Sequence, residues 1–593
     1  MGLRDIAAFS PPETGMSFSR PHALAAVLGA LSLLAAAPTL AQPDAGQLLN
    51  QQQRQAPPAP PSRPAADEPG KPAQADDGAV FRALIRSVRV TGAQGLANDA
   101  ELQAAVAGAI GQRLSHAELQ ALAARVTALL QRLGHPLALA YLPRQDLSSG
   151  ELEIAVLRGR LDGEGRGVQI VNRSAVPTAQ LQAVADAALA GDALRTADLE
   201  RAVLLMNDLA GVSARARLER GQAAGTSRLV INAEPTAALS GEAGVDNFSN
   251  RYTGLLRASA RVQWANPLER GDSLSLSANA ARGNQAAQLG YALPLAPNGL
   301  RAVAGASALR YEIGQDLEPL GLKGRAQALN LGLSQPWLRT RQASVWLAAD
   351  VEHKALRDDS AAGNLRDRRV QRLQISAYGS AWDEWGFGGG TSGSVALGLG
   401  QVDLGRNAAD AAQDGRTAGT EGGYGKLALQ VSRLQVLDAR GRWALFGSLS
   451  AQYAGGNLDS SEKFVLGGPS GVRAHPVGEG SGDDGWLITA ELRHELGGLP
   501  RVPGSQMQAL AFVDTGAVRV HRRPWDGALA TGRGNHVALS GIGLGFNAVA
   551  GRWQLRAAVA RGVDDKAALQ PDGRNADGRR ERSRAWLQVT ASF

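Results

Sequence analysis

Two charged residues in the C-terminal third stand in unusual company. Arg473 lies in Gly467-Gly468-Pro469-Ser470-Gly471-Val472-Arg473-Ala474-His475-Pro476, which runs on into Gly478-Glu479, Gly482-Asp483 and Gly485. A long loop made mostly of Gly, Ser, Pro and short acids can thread through a confined space. Asp514 lies in Phe512-Val513-Asp514-Thr515-Gly516. A strand there puts Phe512 and Asp514 on one face, Val513 and Thr515 on the other. A buried carboxylate needs a partner, and a guanidinium binds carboxylates as a planar two-pronged fork. That is positioning chemistry.

Catalytic chemistry is not indicated. Gly541-Ile542-Gly543-Leu544-Gly545 resembles a nucleotide loop in spelling alone. No ribose-binding acid follows it, so it reads as a glycine-bearing strand. His494-Glu495 reads as a polar pair on the turn side of a strand. There is no Lys-Ser/Thr phosphate loop, no His-Glu-x-x-His and no Cys. The expectation is no enzyme, no cofactor and no metal.

The elements that must hold Arg473 and Asp514 follow from the chain's organisation. Of the 593 residues, 62 are Lys or Arg and 55 are Asp or Glu, interleaved without a basic block. The net charge of +7 therefore reads as a mixed solvated surface and not as a nucleic-acid footprint. Arg20 precedes the apolar run Ala23 to Ala37, and Thr39-Leu40-Ala41 supplies small residues for cleavage. Residues 1–41 read as a secretory signal peptide, with Met1 or Met16 as the start. Residues 42–78 combine a helical stretch, Ala45 to Gln55, with a Pro- and Ala-rich linker, Ala56 to Asp77.

Two repeated units come next. In residues 79–160, Leu84 to Val90 reads as a strand, Asp99 to Ile110 and His116 to Leu133 as helices, and Leu137 to Leu142 and Leu152 to Val156 as strands. Ser115 suits an N-cap and Gly134 a stop. In residues 161–234 the order recurs: Val168 to Val171, Thr178 to Ala190, Thr196 to Leu209, Val212 to Leu218, Ser227 to Ile231. Each is a small α+β domain of about 75 residues.

From residue 235 to 593 the helical signal stops. Strand-length segments alternate in character, including Leu255 to Trp264, Ser273 to Ala281, Ser344 to Val351, Lys426 to Leu434 and Trp443 to Gln452. Short connections (Asn266 to Asp272, Pro297 to Gly299, Asp438 to Gly441) alternate with longer polar ones (Asp358 to Arg369, Gly405 to Gly423, Leu458 to Gly485, Asp564 to Arg582). This is the layout of a transmembrane antiparallel β-barrel, here of about 16 strands. In Leu587 to Phe593 the odd positions are apolar and the even ones polar, and the chain ends on Phe593.

Several stretches resemble the two-partner secretion transporters (the TpsB family), relatives of the BamA-like barrel-assembly proteins. Leu142-Pro143-Arg144-Gln145-Asp146-Leu147 with Gly150 to Ile154 is similar to that family's first POTRA domain. Leu194 to Arg201 with Asn207 to Val212 is similar to the second. Asp246-Asn247, Tyr252-Thr253-Gly254 and Asn266-Pro267-Leu268 resemble the first hairpins. The stretch around Val472-Arg473-Ala474-His475 resembles the family's lumen loop, between barrel strands eleven and twelve, whose common core is Val-Arg-Gly-Tyr. Arg is kept here; Gly and Tyr are replaced. Phe512, Asp514 and Gly516 match the family's strand motif.

The resemblance implies that Arg473 pairs with Asp514 to hold the loop in the lumen. It implies that Ala45 to Gln55 plugs the pore and that Phe593 is read by the barrel-assembly machinery. It also implies export of a partner exoprotein, a large β-helical adhesin or cytolysin, across a Gram-negative outer membrane, by a monomer with its POTRA domains in the periplasm. The alternatives are a BamA-like assembly factor and a passive porin.

Overall fold

In the computed structural model, residues 43–53, 82–162, 167–190, 194–222, 226–499, 502–529, 534–564 and 573–593 are described. The signal peptide and the Pro-rich linker of the sequence reading lie outside them. Among the described residues no helix is long and apolar enough to cross a membrane.

The chain opens with α1 (Ala45–Gln53). The first small unit then runs β1 (Arg82–Leu84), β2 (Ser87–Thr91), α2 (Asp99–Val106), β3 (Arg113–Ser115), α3 (His116–Arg132), β4 (Leu139–Tyr141) and β5 (Glu151–Leu157). Asn98 and Ser115 start the helices with capping boxes closed by Glu101 and Glu118. Gly134 ends α3 at φ +93°, a conformation that L side chains resist. The single strand expected over Leu84 to Val90 is split. Ile85 and Arg86 lie between β1 and β2, because Ile85 turns into the core and its backbone pairs with Gln112 and Gly111 of another segment.

The second unit holds β6 (Arg160–Leu161), β7 (Val168–Asn172), α4 (Thr178–Ala188), α5 (Thr196–Asn207), β8 (Val212–Arg220) and β9 (Thr226–Pro235). The two units share one topology. The last strand is central, parallel to the first and antiparallel to its predecessor: β5 beside β2 and β4, β9 beside β7 and β8. Each sheet packs its helices on one face around its own apolar core.

The rest closes into a sixteen-stranded antiparallel barrel. Its strands are β10 (Leu239–Asp246), β11 (Arg257–Ala265), β12 (Ser273–Ala281), β13 (Asn284–Pro294), β14 (Arg301–Glu312), β15 (Lys323–Arg339), β16 (Ala343–Ser360), β17 (Gly363–Asp383), β18 (Gly389–Asp403), β19 (Gly422–Val436) and β20 (Trp443–Ala454). A long inward loop carries the two-residue strands β21 (Phe464–Val465) and β22 (Ser481–Gly482). β23 (Asp484–Gly497), β24 (Gln506–Arg519), β25 (His536–Ala550), β26 (Trp553–Gly562) and β27 (Ser583–Ser592) complete the wall. A further helix, α6 (Ala408–Arg416), caps the connection between β18 and β19. The loop falls between the eleventh and twelfth barrel strands, as expected.

One expectation about the wall changes. The stretch Asp358 to Arg369, expected as a long loop, is a tight hairpin in which β16 and β17 stay paired to Ser360 and Gly363. These strands rise past the apolar band, where both faces are polar and composition mimics a loop.

Chain direction orients the barrel. The second unit docks on the short-turn end. Ala210 N–H donates to the Gly271 carbonyl at 3.0 Å, and Arg339 grips Asp208 through Nη2 (2.7 Å) and Nε (3.0 Å). Exposed Trp264, Trp337, Trp443 and Trp553 ring this same end, forming an aromatic girdle at one membrane interface.

Candidate functional site: a filled lumen

Many side chains that alternate inward on these strands are buried against protein. The lumen holds two guests, α1 and the loop between β20 and β23.

The loop tip is built on Arg473. Leu466 and Val472 close it through a backbone bond of 2.8 Å, and His475 N–H bonds back to Val472. From that turn Arg473 reaches the wall. Its Nε and Nη2 donate to Asp514 Oδ2 and Oδ1 at 2.8 and 2.7 Å, and its backbone N–H adds a third bond at 3.1 Å. Its Nη1 donates to Glu491 Oε1 at 2.7 Å. The guanidinium stacks on the Phe512 ring, 3.4 Å from its centre. Trp586 Nε1 donates to the Arg473 carbonyl at 2.7 Å. Burial works against the charge, but the bonds to Asp514 and Glu491 outweigh it and raise the Arg473 pKa.

The structure therefore brings Arg473, Phe512 and Asp514 together, with Asp514 fully buried. Gly471, Val472, Ala474, His475 and Pro476 form the turn that presents the guanidinium. Gly516 gives the Leu466 side chain room on the wall. A methyl at Gly541 would meet the Ala474 Cβ, and one at Gly543 would collide with the Phe512 ring. The glycine-bearing stretch of β25 is thus the seat of the loop tip. His475 Nε2 lies 3.5 Å from Asp564 Oδ2 beside Gly562. Phe593 sits elsewhere, at the opposite end of the wall, where its backbone exchanges both bonds with Gly241 at 2.9 and 3.0 Å.

Sequence reasoning missed Glu491, Arg493, Thr489 and Trp586. Arg493 holds Glu491 Oε2 at 2.7 Å, and Thr489 Oγ1 donates to Asp514 at 3.0 Å. Two cations and two carboxylates balance. The available signal was the polar alternation Thr489, Glu491, Arg493 between Ile488, Ala490 and Leu492 on β23.

A second ionic knot ties the loop's base to the wall and to α1. Glu462 accepts from Lys354 and Lys426 at 2.7 Å each. Burial favours its neutral form, but Lys354, Lys426 and Arg372 outweigh burial and hold it below the ordinary carboxylate range. Arg368 joins Asp459 of the loop (2.6 Å), Asp358 of the wall (2.9 Å) and Asp44 of α1 (3.2 Å). Asp44 caps α1 through the Gln47 N–H at 2.8 Å. Leu48 and Leu49 bury against Leu309, Ile313, Ala326 and Leu356. Among the described residues no group of acids and histidines is arranged to hold a metal.

Comparison with known proteins bears on this arrangement. Residues 225–548 match the family described as haemolysin secretion/activation protein ShlB/FhaC/HecB. Residues 83–159 match the ShlB-type POTRA domain. The heme/hemopexin transporter protein HuxB of Haemophilus influenzae (strain 86-028NP) is 27% identical over 495 residues, 82% of each chain. The hemolysin transporter protein ShlB of Serratia marcescens is 25% identical over 458 residues, 71% of this chain and 76% of that one. The structure of CdiB from Escherichia coli has the same fold, with a TM-score of 0.64 at 20% identity, covering 98% of this chain and all of the other. With its closed barrel and preceding POTRA topology, the chain belongs to the haemolysin secretion/activation family ShlB/FhaC/HecB, outer-membrane transporters of two-partner secretion.

Proposed function

We propose that the chain exports one unfolded partner protein, a large β-helical adhesin or cytolysin, using its POTRA units to select it. The observation that carries this is the filled lumen. The occupants, α1 and the loop, are held to the wall by side chains and not by barrel ladders, so they can leave without opening the wall. A passive porin has no use for such contents. The sheet edges at β2, β4, β7 and β8 offer backbone donors and acceptors to an extended client strand. The names of HuxB and ShlB, transporters of heme/hemopexin and of hemolysin, fit a secreted protein as cargo. Folding of the client outside the cell supplies direction in a compartment without ATP.

Removing the second unit's sheet and helices, Val168 to Ile231, is expected to abolish secretion while the barrel still inserts. Blotting the medium for client, with heat-modifiable barrel measured in parallel, checks this. Secretion at normal barrel levels would place selection elsewhere.

Phe593 has an assembly role in this reading, offered to the barrel-assembly machinery by a monomer. Its ring packs on Gly241, in the shortest ladder of the barrel, Glu242↔Ser592 to Asp246↔Gln588. Deleting Phe593 is expected to lower the amount of heat-modifiable barrel, with secretion per barrel unchanged. Full barrel levels with lost secretion would contradict the role.

A further inference from the structure

The outer wall of β13–β17 carries a feature that export does not explain. Ala286, Leu309, Tyr311, Ala326 and Leu356 face the lumen core. By alternation Gln285, Arg310, Arg325 and Arg357 therefore point outward. They stand directly opposite one another across four ladders: Gln285↔Arg310, Arg310↔Arg325, Arg325↔Arg357, and Arg357↔Asp367. Three arginines abreast on neighbouring strands repel. Arg310 rests on the neutral Gln285 at 2.8 Å, and Arg357 on Asp359 at 3.0 Å. Arg325, between them, makes no hydrogen bond or ion pair among the described residues.

The row lines an open depression of about 650 Å³ on the end opposite the POTRA units. Arg282, Arg310, Lys323, Arg325 and Arg357 supply five positive charges there and Glu312 and Asp359 two negative, a net +3. Lower on the same five strands lies a second depression, of about 510 Å³. Its wall is apolar, including Leu293, Leu331, Leu333, Val351 and Leu373. Leu331 is six residues below Arg325 on one strand face, about 20 Å along the strand and ~15 Å along the membrane normal for a typical barrel tilt. A cationic hollow stacked above an apolar one at that spacing has the outline of an amphiphile, with an anionic headgroup above and acyl chains below.

We propose that this surface binds a phosphorylated glycolipid of the outer leaflet, of the lipid A type. Its phosphates sit in the fork of Arg310, Arg325 and Arg357, and an acyl chain lies along Leu331 and Val351. Arginine suits phosphate because two N–H groups meet two oxygens at once. The bound phosphates cancel the repulsion along the row, and so brace the strands whose inner faces hold Asp358, Arg368 and α1.

The test uses full-length protein purified in mild detergent, incubated with diphosphoryl lipid A and weighed by native mass spectrometry. The wild type is expected to retain the lipid, and retention should fall as salt rises. Arg325→Gln removes no internal bond, so folding is preserved, and it should weaken binding roughly fivefold. Arg310→Gln, Arg325→Gln and Arg357→Gln together should weaken it about a hundredfold, with heat-modifiability confirming an intact barrel. Equal retention by wild type and Arg325→Gln would overturn the proposal. So would equal retention of dephosphorylated lipid A or phosphatidylethanolamine, or occupancy by inorganic pyrophosphate that excludes the lipid.

Discussion

Arg473→Ala is expected to leave the barrel inserted and nearly silence secretion. The substitution removes four side-chain and stacking contacts at once and leaves Asp514 fully buried with only the Thr489 hydroxyl and the backbone N–H of position 473 as hydrogen-bond donors. Breaking a buried pair from one side costs about 3–5 kcal/mol, because the abandoned charge stays in place. That loss falls on the docking of the loop and not on the wall, whose ladders are backbone bonds. Asp514→Ala should give the same phenotype in milder form, since Arg473 keeps Glu491. Arg473→Lys should not rescue, because an ammonium cannot span Asp514 and Glu491 together. The decisive measurement is secreted client per heat-modifiable barrel across the double-mutant cycle. If the two residues act as one contact, the double variant is no worse than Arg473→Ala. Strictly additive losses would mean that they act independently, and the pairing would have to be abandoned as the basis of loop positioning.

How far the sequence reaches is clear from these same residues. The barrel was legible because its wall obeys a period of two. Leu587 points to lipid and its neighbour Trp586 to the lumen, and the pattern repeats over sixteen strands. The POTRA units were legible from capped helices and from a repeated order of elements. Arg473 and Asp514 came from a motif, which names two partners and no more. Glu491, Trp586 and the Glu462 knot were not legible, because each is brought in by register. Lys354, Arg372 and Lys426 lie on three different strands, and their meeting at one loop carboxylate depends on strand tilt and stagger. Periodicity fixes which face a residue takes, not the height at which it meets its neighbour. The hairpin at Asp358 to Arg369 shows the opposite limit. Once a strand leaves the membrane both faces are polar, and its signature vanishes.

Removing α1 is expected to raise single-channel conductance in planar bilayers several-fold, with more frequent long openings. A nine-residue helix is marginal alone in water, so α1 owes its form to the lumen. Burying Leu48 and Leu49 supplies about 3–6 kcal/mol. Polar bonds set its depth: Ala45 N–H to Asp358 at 2.8 Å, Asn50 Nδ2 to the Lys463 carbonyl at 2.7 Å, and Gln53 Nε2 to Glu352 at 2.9 Å. Asp44 is the hinge of this set, since Arg366, Arg368 and Ser460 all converge on it. Asp44→Ala should therefore reproduce much of the deletion while leaving the helix sequence intact. The pH dependence follows from the same carboxylate. Burial raises its pKa, but Arg368 and Arg366 outweigh burial and leave it lowered from 3.8. A carboxylate with a depressed folded value contributes in full above its unfolded pKa and is lost only as pH falls through the folded one. As far as Asp44 sets it, α1 should thus stay seated from neutral pH down to about 4, and opening in milder acid would point to Asp358, the other carboxylate that holds it. Conductance traces of the wild type, the deletion of Ala45 to Gln53 and Asp44→Ala, each at pH 7 and pH 5, decide the matter. Identical conductance in all three would show that α1 does not obstruct the channel. Opening of the wild type at pH 5 would show that the seat depends on a group other than Asp44.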